Sequence, residues 1–308
     1  MRIEREADGL RTLVTSRLSH AVPPPIATLA EAARARHGEV QAVLAYGSCL
    51  RGIDPRETLA DFYVLTDSFG GVSSNPVSRL GCRLLPPNVY YLETPHEGEI
   101  YRAKYAVLPL DQFEDWVAPS TRNPYFWARF SQPSALVWAR DDSARDRVVD
   151  AVMAAINTMV GEARLLEQAS PPQQDRQSGA VGLWERVLAE TYRTELRAES
   201  SDRGKSIVAA DLDWYAGVAG AVHTAAKDQL TADEVAQRWL WRRRQGKLLA
   251  ALRLIKAAFT FQGGADYLAW KIERHSKVKV ELSDWQRRHP ILAAITLMPR
   301  LYRRGGFR

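Results

Sequence analysis

Cysteine is almost missing from this chain of 308 residues: Cys49 and Cys82 stand alone, and no CxxC pair occurs. That excludes a disulfide framework and a cysteine-built zinc site, and leaves both thiols as passive core or loop residues. The six histidines show neither HxH nor HxxxH spacing, so a histidine metal centre is set aside as well. Long hydrophobic runs are also lacking. The longest, PILAAITLMP at 290 to 299, falls well short of the roughly 20 residues a membrane-spanning helix needs. The opening MRIEREADGLRTLV carries too many charges for a signal peptide, which predicts a protein on the cytosolic side. No internal repeat is visible. What is present is ordinary for a soluble globular chain, 46% apolar and 25% charged, and long enough for two domains.

The net charge of +6 is unevenly placed. Residues 271 to 308 hold ten Lys or Arg against Glu273, Glu281 and Asp284, about the whole excess. Within DWQRRHPILAAITLMPRLYRRGGFR, apolar residues from Ile291 to Leu301 lie between Arg287/Arg288 and Arg303/Arg304, with Trp285 and Tyr302 at the edges. That pattern suits a segment lying in the headgroup zone of an anionic bilayer; the alternative is a C-terminal core helix with basic ends. Nucleic acid is a poorer partner for it, because the centre is apolar rather than an alternation of basic and stacking aromatic residues.

The organisation reads as follows. Residues 1 to 22 form a helical lead-in broken by Pro23, Pro24 and Pro25, and IATLAEAARARHG is a second helix closed by Gly38. EVQAVLAYG and ADFYVLTD are short apolar runs rich in β-branched residues, hence buried strands. NVYYLET and IYRAKYAVLPL predict a hairpin around PHEGE, and LPLDQFEDWV a helix capped by Asp111. From 143 to about 260 helical periodicity dominates, interrupted by an exposed loop, ASPPQQDRQSG, at 169 to 179. The expected class is α+β: an α/β unit with a mixed sheet over 1–142, a mainly helical second domain over 143–276, and a basic amphipathic tail over 277–308.

The stretch VQAVLAYGSCLRGIDPRETLADFYVLTD carries the chemistry. A strand ending in Gly47-Ser48 delivers the chain to a turn whose free N–H groups bind phosphate, with the Ser48 hydroxyl as a further donor. Asp61 opens the next strand near the same edge, where a carboxylate can hold Mg²⁺ against a nucleotide triphosphate. This layout resembles the nucleotidyltransferase superfamily. Many of its members carry two acids at alternate strand positions; here the second place is Tyr63.

A single acid followed by apolar residues resembles the mitochondrial-type phosphatidate cytidylyltransferases, the translocator assembly and maintenance family. AYGSC at 45–49 and LADFYVLTD at 59–67 match its YGS and (L/I)DF segments, and NVYYLE at 88–93 its VYYN segment, with Leu92 in the asparagine place. AKYAVLPLDQFEDWV at 103–117 is similar to its (I/V)KYGV segment. YFWARFSQPSALVW at 125–138 is similar to its AGRLxKPV stretch, with Gln132 for lysine. YRTELR at 192–197 resembles Y-x-x-D-F-R with Glu195 for aspartate, and IKAAFTFQGGADYLAWKIERHS at 255–276 resembles the TKGIFTAG region. The resemblance implies transfer of CMP from CTP to phosphatidic acid, giving CDP-diacylglycerol and pyrophosphate. Mg²⁺ would be the cofactor, and the protein would be peripheral on a membrane.

Each candidate residue has a second reading. Ser48 and the amides around Gly47 are assigned to the β/γ-phosphates and Asp61 to Mg²⁺, with a turn or cap role as the alternative for Asp61. Lys104 lies on an apolar strand, where a cation either meets an anion or snorkels to the surface. Arg129, among Phe126, Trp127 and Phe130, clamps a phosphate or stacks on an aromatic ring. Glu195 and Arg197 share a face if the backbone there is extended, giving a second metal ligand beside a phosphate clamp; on a helix they point apart. Arg197 and Lys256 are the expected contacts to the acceptor phosphate. Asp54, Asp67 and Glu93 are open choices for the rest of the metal shell. Two other functions stay open: transfer to another phosphorylated acceptor, and a non-catalytic binding protein that has kept the fold.

Overall fold

The computed structural model describes the chain apart from residues 1, 57, 170–178, 197–202, 223–229, 261–262, 277–279, 281 and 289–308. The exposed loop expected at 169–179 and the apolar and arginine-rich part of the tail therefore lie almost wholly outside the described residues.

Helices α1 (Arg2–Leu18) and α2 (Pro24–Arg34) precede strand β1 (Val40–Tyr46). A one-turn 3-10 segment, Gly47–Leu50, leads toward β2 (Ala60–Thr66). Helices α3 (Phe69–Val72) and α4 (Pro76–Leu84) cross to the hairpin of β3 (Asn88–His96) and β4 (Glu99–Pro109). After α5 (Leu110–Val117) and α6 (Trp127–Phe130) comes β5 (Ser134–Ala139). The remaining described elements are helices: α7 (Asp142–Gln168), α8 (Ala180–Tyr192), α9 (Arg203–Ala209), α10 (Leu212–Ala221), α11 (Ala232–Thr260), α12 (Gly264–Ser276) and α13 (Asp284–Arg288). The sheet order is β3-β4-β2-β1-β5. It is mixed: β2 runs parallel to β4, and the other neighbouring pairs are antiparallel. The α+β class expected from the sequence is the one the chain adopts.

The central strands are apolar on both faces because both faces are covered. Ile26, Leu29, Ala30 and Ala33 of α2 are buried, and α2 packs on β1 to β4. Opposite, Tyr63 of β2 packs against Phe113 of α5 and Phe126 and Phe130 around α6, at ring separations of 6.4, 5.9 and 4.8 Å. The long helix α7 lies beyond, its start fixed by Asp141, whose side chain accepts the Ala144 N–H at 2.8 Å. Pro24 and Pro25 open α2, where a missing N–H loses no helical bond. One contiguous set of buried side chains runs from Leu10 of α1 to Trp239 of α11. No helix among the described residues is long and apolar enough to cross a membrane.

Some local expectations fail for physical reasons. Asp111 does not cap α5; Pro109 holds that position, and Asp111 pairs instead with Arg147 of α7. Strand β5 and helices α3 and α4 were not expected. β5 is short, follows a proline, and is half-exposed along most of its length, so it lacks the continuous apolar signature of β1. Both cysteines are buried thiols pushed up to about 11 by burial, in keeping with the passive role expected of them.

The helical part is tied to itself through a buried carboxylate. Glu162 of α7 receives Nη1 and Nη2 of Arg242 and Nη2 of Arg238, both from α11, and Arg242 Nε donates to Arg122 O at 2.9 Å. Burial works against the Glu162 charge, but Arg242 and Arg238 outweigh it and hold the carboxyl below its ordinary value of 4.5. The pairing therefore stabilises the fold above that value and is lost as pH falls through the lowered one. Glu162→Gln should cost about 3 kcal/mol or more at neutral pH, because Arg242 is left buried and uncompensated. In denaturant titrations the gap between variant and wild type should narrow as pH drops below 4.5; a gap independent of pH would contradict the ion-pair account.

Candidate functional site

Strand register builds the site. Tyr46, the last residue of β1, pairs with Asp61 of β2, and Asp61 pairs with Lys104 of β4. Paired positions share a face, so the three side chains stand together at one end of the sheet. Gly47 turns the chain away with φ +82°, a left-handed conformation that glycine adopts freely. A Cβ there would lie 3.5 Å from Asp61 Oδ2, so the turn also passes close to the carboxylate.

These residues line a cavity of about 160 Å³ with Ser48, Arg51, Arg129, Gln132, Tyr192, Glu195 and Arg203 among its walls. Gly47, Ser48, Asp61, Lys104, Arg129 and Glu195, all singled out in the sequence, are thus brought to one place. Arg197 lies outside the described residues. Arg51 and Arg203 were not anticipated; nothing in their sequence neighbourhood separates them from solvated arginines, and only the fold turns them inward. Four cations, Arg51, Lys104, Arg129 and Arg203, face two carboxylates, Asp61 and Glu195, which makes the cavity net positive and suited to a polyphosphate.

The Lys104 Nζ lies 3.4 Å from Asp61 Oδ1, an ion pair, yet that oxygen is buried and accepts no hydrogen bond. A carboxylate that caps a turn accepts backbone N–H groups, and Oδ1 of Asp61 accepts none. The Ser48 hydroxyl is held by Thr58 Oγ1 at 2.7 Å. Of the two readings of Arg129 the structure shows the stacking one: its guanidinium lies 3.8 Å from the centre of the Tyr125 ring, and its Nη2 donates to Glu195 Oε1 at 2.8 Å. Burial disfavours the Arg129 charge, but Glu195 together with Tyr125, Tyr63 and Tyr46 outweighs it and holds the pKa above its ordinary value. Glu195 sits in a turn after α8, its N–H donating to Tyr192 O at 3.0 Å. The backbone there is not extended, the condition the sequence reading attached to its role, and Glu195 reaches the cavity all the same.

The remaining candidates are spent elsewhere. Lys256 Nζ donates to Leu85 O at 2.6 Å, Pro87 O at 2.7 Å and Asn88 Oδ1 at 3.1 Å, which uses all three of its N–H groups, although burial pushes its pKa down to about 8. It pins α11 to the loop before β3 and does not line the Asp61 cavity. Asp54 is half-exposed and paired with Arg56, Asp67 accepts from Gln41, and Glu93 accepts from the Tyr91 hydroxyl at 2.7 Å and Arg102 at 3.0 Å. Leu92, in the place of the family's asparagine, is a core residue. Among the described residues no three of His, Cys, Asp and Glu come together as a metal cluster. Mg²⁺ held by one or two carboxylates, with water and substrate phosphates completing its shell, needs no such cluster, and the unbonded Asp61 oxygen fits that demand.

No family model matches the chain, and no curated protein matches it. Among solved structures it is similar to a nucleotidyltransferase-like protein from Exiguobacterium sibiricum, at 13% identity and a TM-score of 0.26, with 90% of each chain covered. At that TM-score the likeness adds no weight to the geometry.

Two substitutions separate the residues of this cavity from those beside it. Tyr63, 1% exposed, fills the position where a second strand acid would stand. Tyr63→Asp should therefore destabilise by about 3 kcal/mol or more, read as a fall in denaturant midpoint, and should not raise metal affinity. A folded, stable Tyr63→Asp protein would refute this packing account. Lys256→Ala leaves three acceptors unpaired and should lower stability by about 2 kcal/mol while nucleotide affinity, measured calorimetrically, stays at the wild-type value. A selective loss of nucleotide affinity would instead place Lys256 at the nucleotide.

Proposed function

We propose that this chain is a nucleotidyltransferase whose nucleotide lies in the Asp61 cavity. The observation that carries the reading is Asp61 itself: a strand carboxylate beside Lys104, next to a Gly-Ser turn, with one buried oxygen lacking any hydrogen-bond donor in a cavity of excess positive charge. In this reading the Gly47 turn amides and the Ser48 hydroxyl receive phosphate oxygens, and Lys104 and Arg129 offset the charge of the triphosphate. Asp61 is the principal ligand for Mg²⁺ and Glu195 a candidate second one. When bound, the ion would neutralise phosphate charge and favour departure of pyrophosphate.

The finer reading rests on the motif resemblance: CMP passes from CTP to phosphatidic acid, with the tail from residue 285 onward meeting an anionic membrane. An oxygen of the acceptor's phosphate forms a bond to the α-phosphorus, and the bond from that phosphorus to the β-bridging oxygen breaks. Pyrophosphate leaves with the electron pair. The acceptor phosphate is already anionic near neutral pH, so the residues must align it and hold opposing charge rather than remove a proton.

The test is incubation of the full chain with each of the four ribonucleoside triphosphates, Mg²⁺ and phosphatidate in detergent, reading pyrophosphate and the lipid product. CTP alone should give both. Asp61→Asn should lower turnover by about two orders of magnitude or more with the melting temperature preserved. Pyrophosphate release without lipid product would retain the transferase and remove phosphatidate as acceptor. No release with any nucleotide would leave the non-catalytic alternative, and near-normal turnover of a folded Asp61→Asn protein would remove Asp61 from the site.

A further inference from the structure

A second cavity, of about 360 Å³, lies against the first and shares Arg129, Thr194 and Glu195 with it. Its chemistry is different. Pro87, Val89, Leu196, Ala250, Leu254 and Ala257 give it a largely apolar wall. Leu196 and Leu254 remain 49% and 65% exposed, so the apolar wall reaches the surface there. A volume near the lower end of the roughly 300–1,000 Å³ range of ligand sites holds one chain and not two.

Two polar residues on its wall each carry a buried donor that lacks an acceptor. Asn123 is 6% exposed, and its Oδ1 already accepts the Tyr125 N–H at 2.9 Å, which fixes the amide so that its Nδ2 is the free end. That Nδ2 has no hydrogen-bond partner. Arg253 donates Nε to Pro86 O at 2.9 Å and stacks 3.9 Å from the Tyr125 ring centre, while its Nη2, also buried, has no partner. Buried donors left unpaired cost about 1–3 kcal/mol each, a cost that a ligand able only to accept would relieve. The charge count points the same way: Arg129, Arg253 and Lys256 line this cavity against the single carboxylate of Glu195.

We propose that this cavity binds a single-chain anionic amphiphile, its head received by Asn123 Nδ2 and Arg253 Nη2 and its chain laid along the apolar wall of α11. It stands apart from the transfer proposed above, whose acceptor, phosphatidic acid, carries two acyl chains. A soluble polar phosphate fills only the head position, and a cationic amphiphile meets like charge.

The experiment is calorimetric titration of the full chain, without nucleotide or Mg²⁺, with three probes below their critical micelle concentrations: dodecyl phosphate, inorganic phosphate and dodecyltrimethylammonium. Dodecyl phosphate should bind one per chain, about tenfold or more tighter than either of the others. Arg253→Met and Ala250→Phe, the second filling the cavity without touching the donors, should each weaken it by about tenfold, and Asp61→Asn should leave it unchanged. If Arg253→Met melts early, Ala250→Phe and the probe comparison decide. Equal binding of the cationic amphiphile, or wild-type affinity in a folded Ala250→Phe protein, would overturn the proposal. Binding as expected in a chain that releases no pyrophosphate would leave the cavity standing and remove the transferase; transfer without binding would do the reverse.

Discussion

The pairing of Tyr46 with Asp61 and of Asp61 with Lys104 places three polar side chains at one end of a sheet whose central strands are mostly apolar. Each step of two along β2 repeats the same face, so the register that brings Asp61 to the cavity sends Tyr63 into the ring cluster of Phe113, Phe126 and Phe130. One acid at the edge and one aromatic in the core are thus two readings of a single constraint. A slip of one residue would turn both side chains to the opposite face, which α2 covers, and take Tyr63 out of its ring cluster, so the aromatic packing resists that slip.

Charge binds the helices to this edge. Glu195, after α8, meets Arg129 of α6; Arg129 and Arg253 lie within 4 Å of the centre of the Tyr125 ring; and Arg253 reaches the loop before β3. The approach of α11 is close because Gly246 leaves room, a Cβ there falling 2.5 Å from Thr194 O. Arg129 and Glu195 compensate one another, and their burial makes each sensitive to loss of its partner. The same residues separate a polar cavity from an apolar one, so the wall that organises the fold also divides two kinds of ligand environment.

Much of this was legible in the chain. β-branched runs and turn residues located β1 to β4, and the Gly-Ser turn followed by a strand acid located the Asp61 cavity, because local periodicity and turn chemistry are written in neighbouring residues. Three-dimensional neighbours were not. Arg51 and Arg203 read as solvated charges, β5 lacked a continuous apolar signature, and Lys256, which reads as a phosphate ligand, is consumed by Leu85, Pro87 and Asn88. Glu195 was singled out by the motif resemblance, with an extended backbone as the condition for sharing a face with Arg197; the backbone at Glu195 is not extended, and what holds its side chain at the cavity is the ion pair with Arg129, 66 residues away in the chain.

Lys256 and Asp61 together show what separates a functional charge from a structural one. Both sit on or beside apolar elements, where a charge must meet an opposite charge or a hydrogen-bond partner. The difference is satisfaction. Lys256 has as many acceptors as N–H groups and so has no hydrogen bond left to donate, only its charge, whereas Asp61 Oδ1 is buried beside one lysine and accepts no hydrogen bond. The same test, applied to donors, picks out Asn123 and Arg253 in the neighbouring cavity and passes over Arg242, whose guanidinium is fully engaged by Glu162 and the Arg122 carbonyl. Tyr215, Trp239, Arg243 and Gln245 also carry an unmet atom but line neither cavity, so it is unmet hydrogen-bonding capacity on a cavity wall, rather than charge or burial alone, that sets Asp61, Asn123 and Arg253 apart.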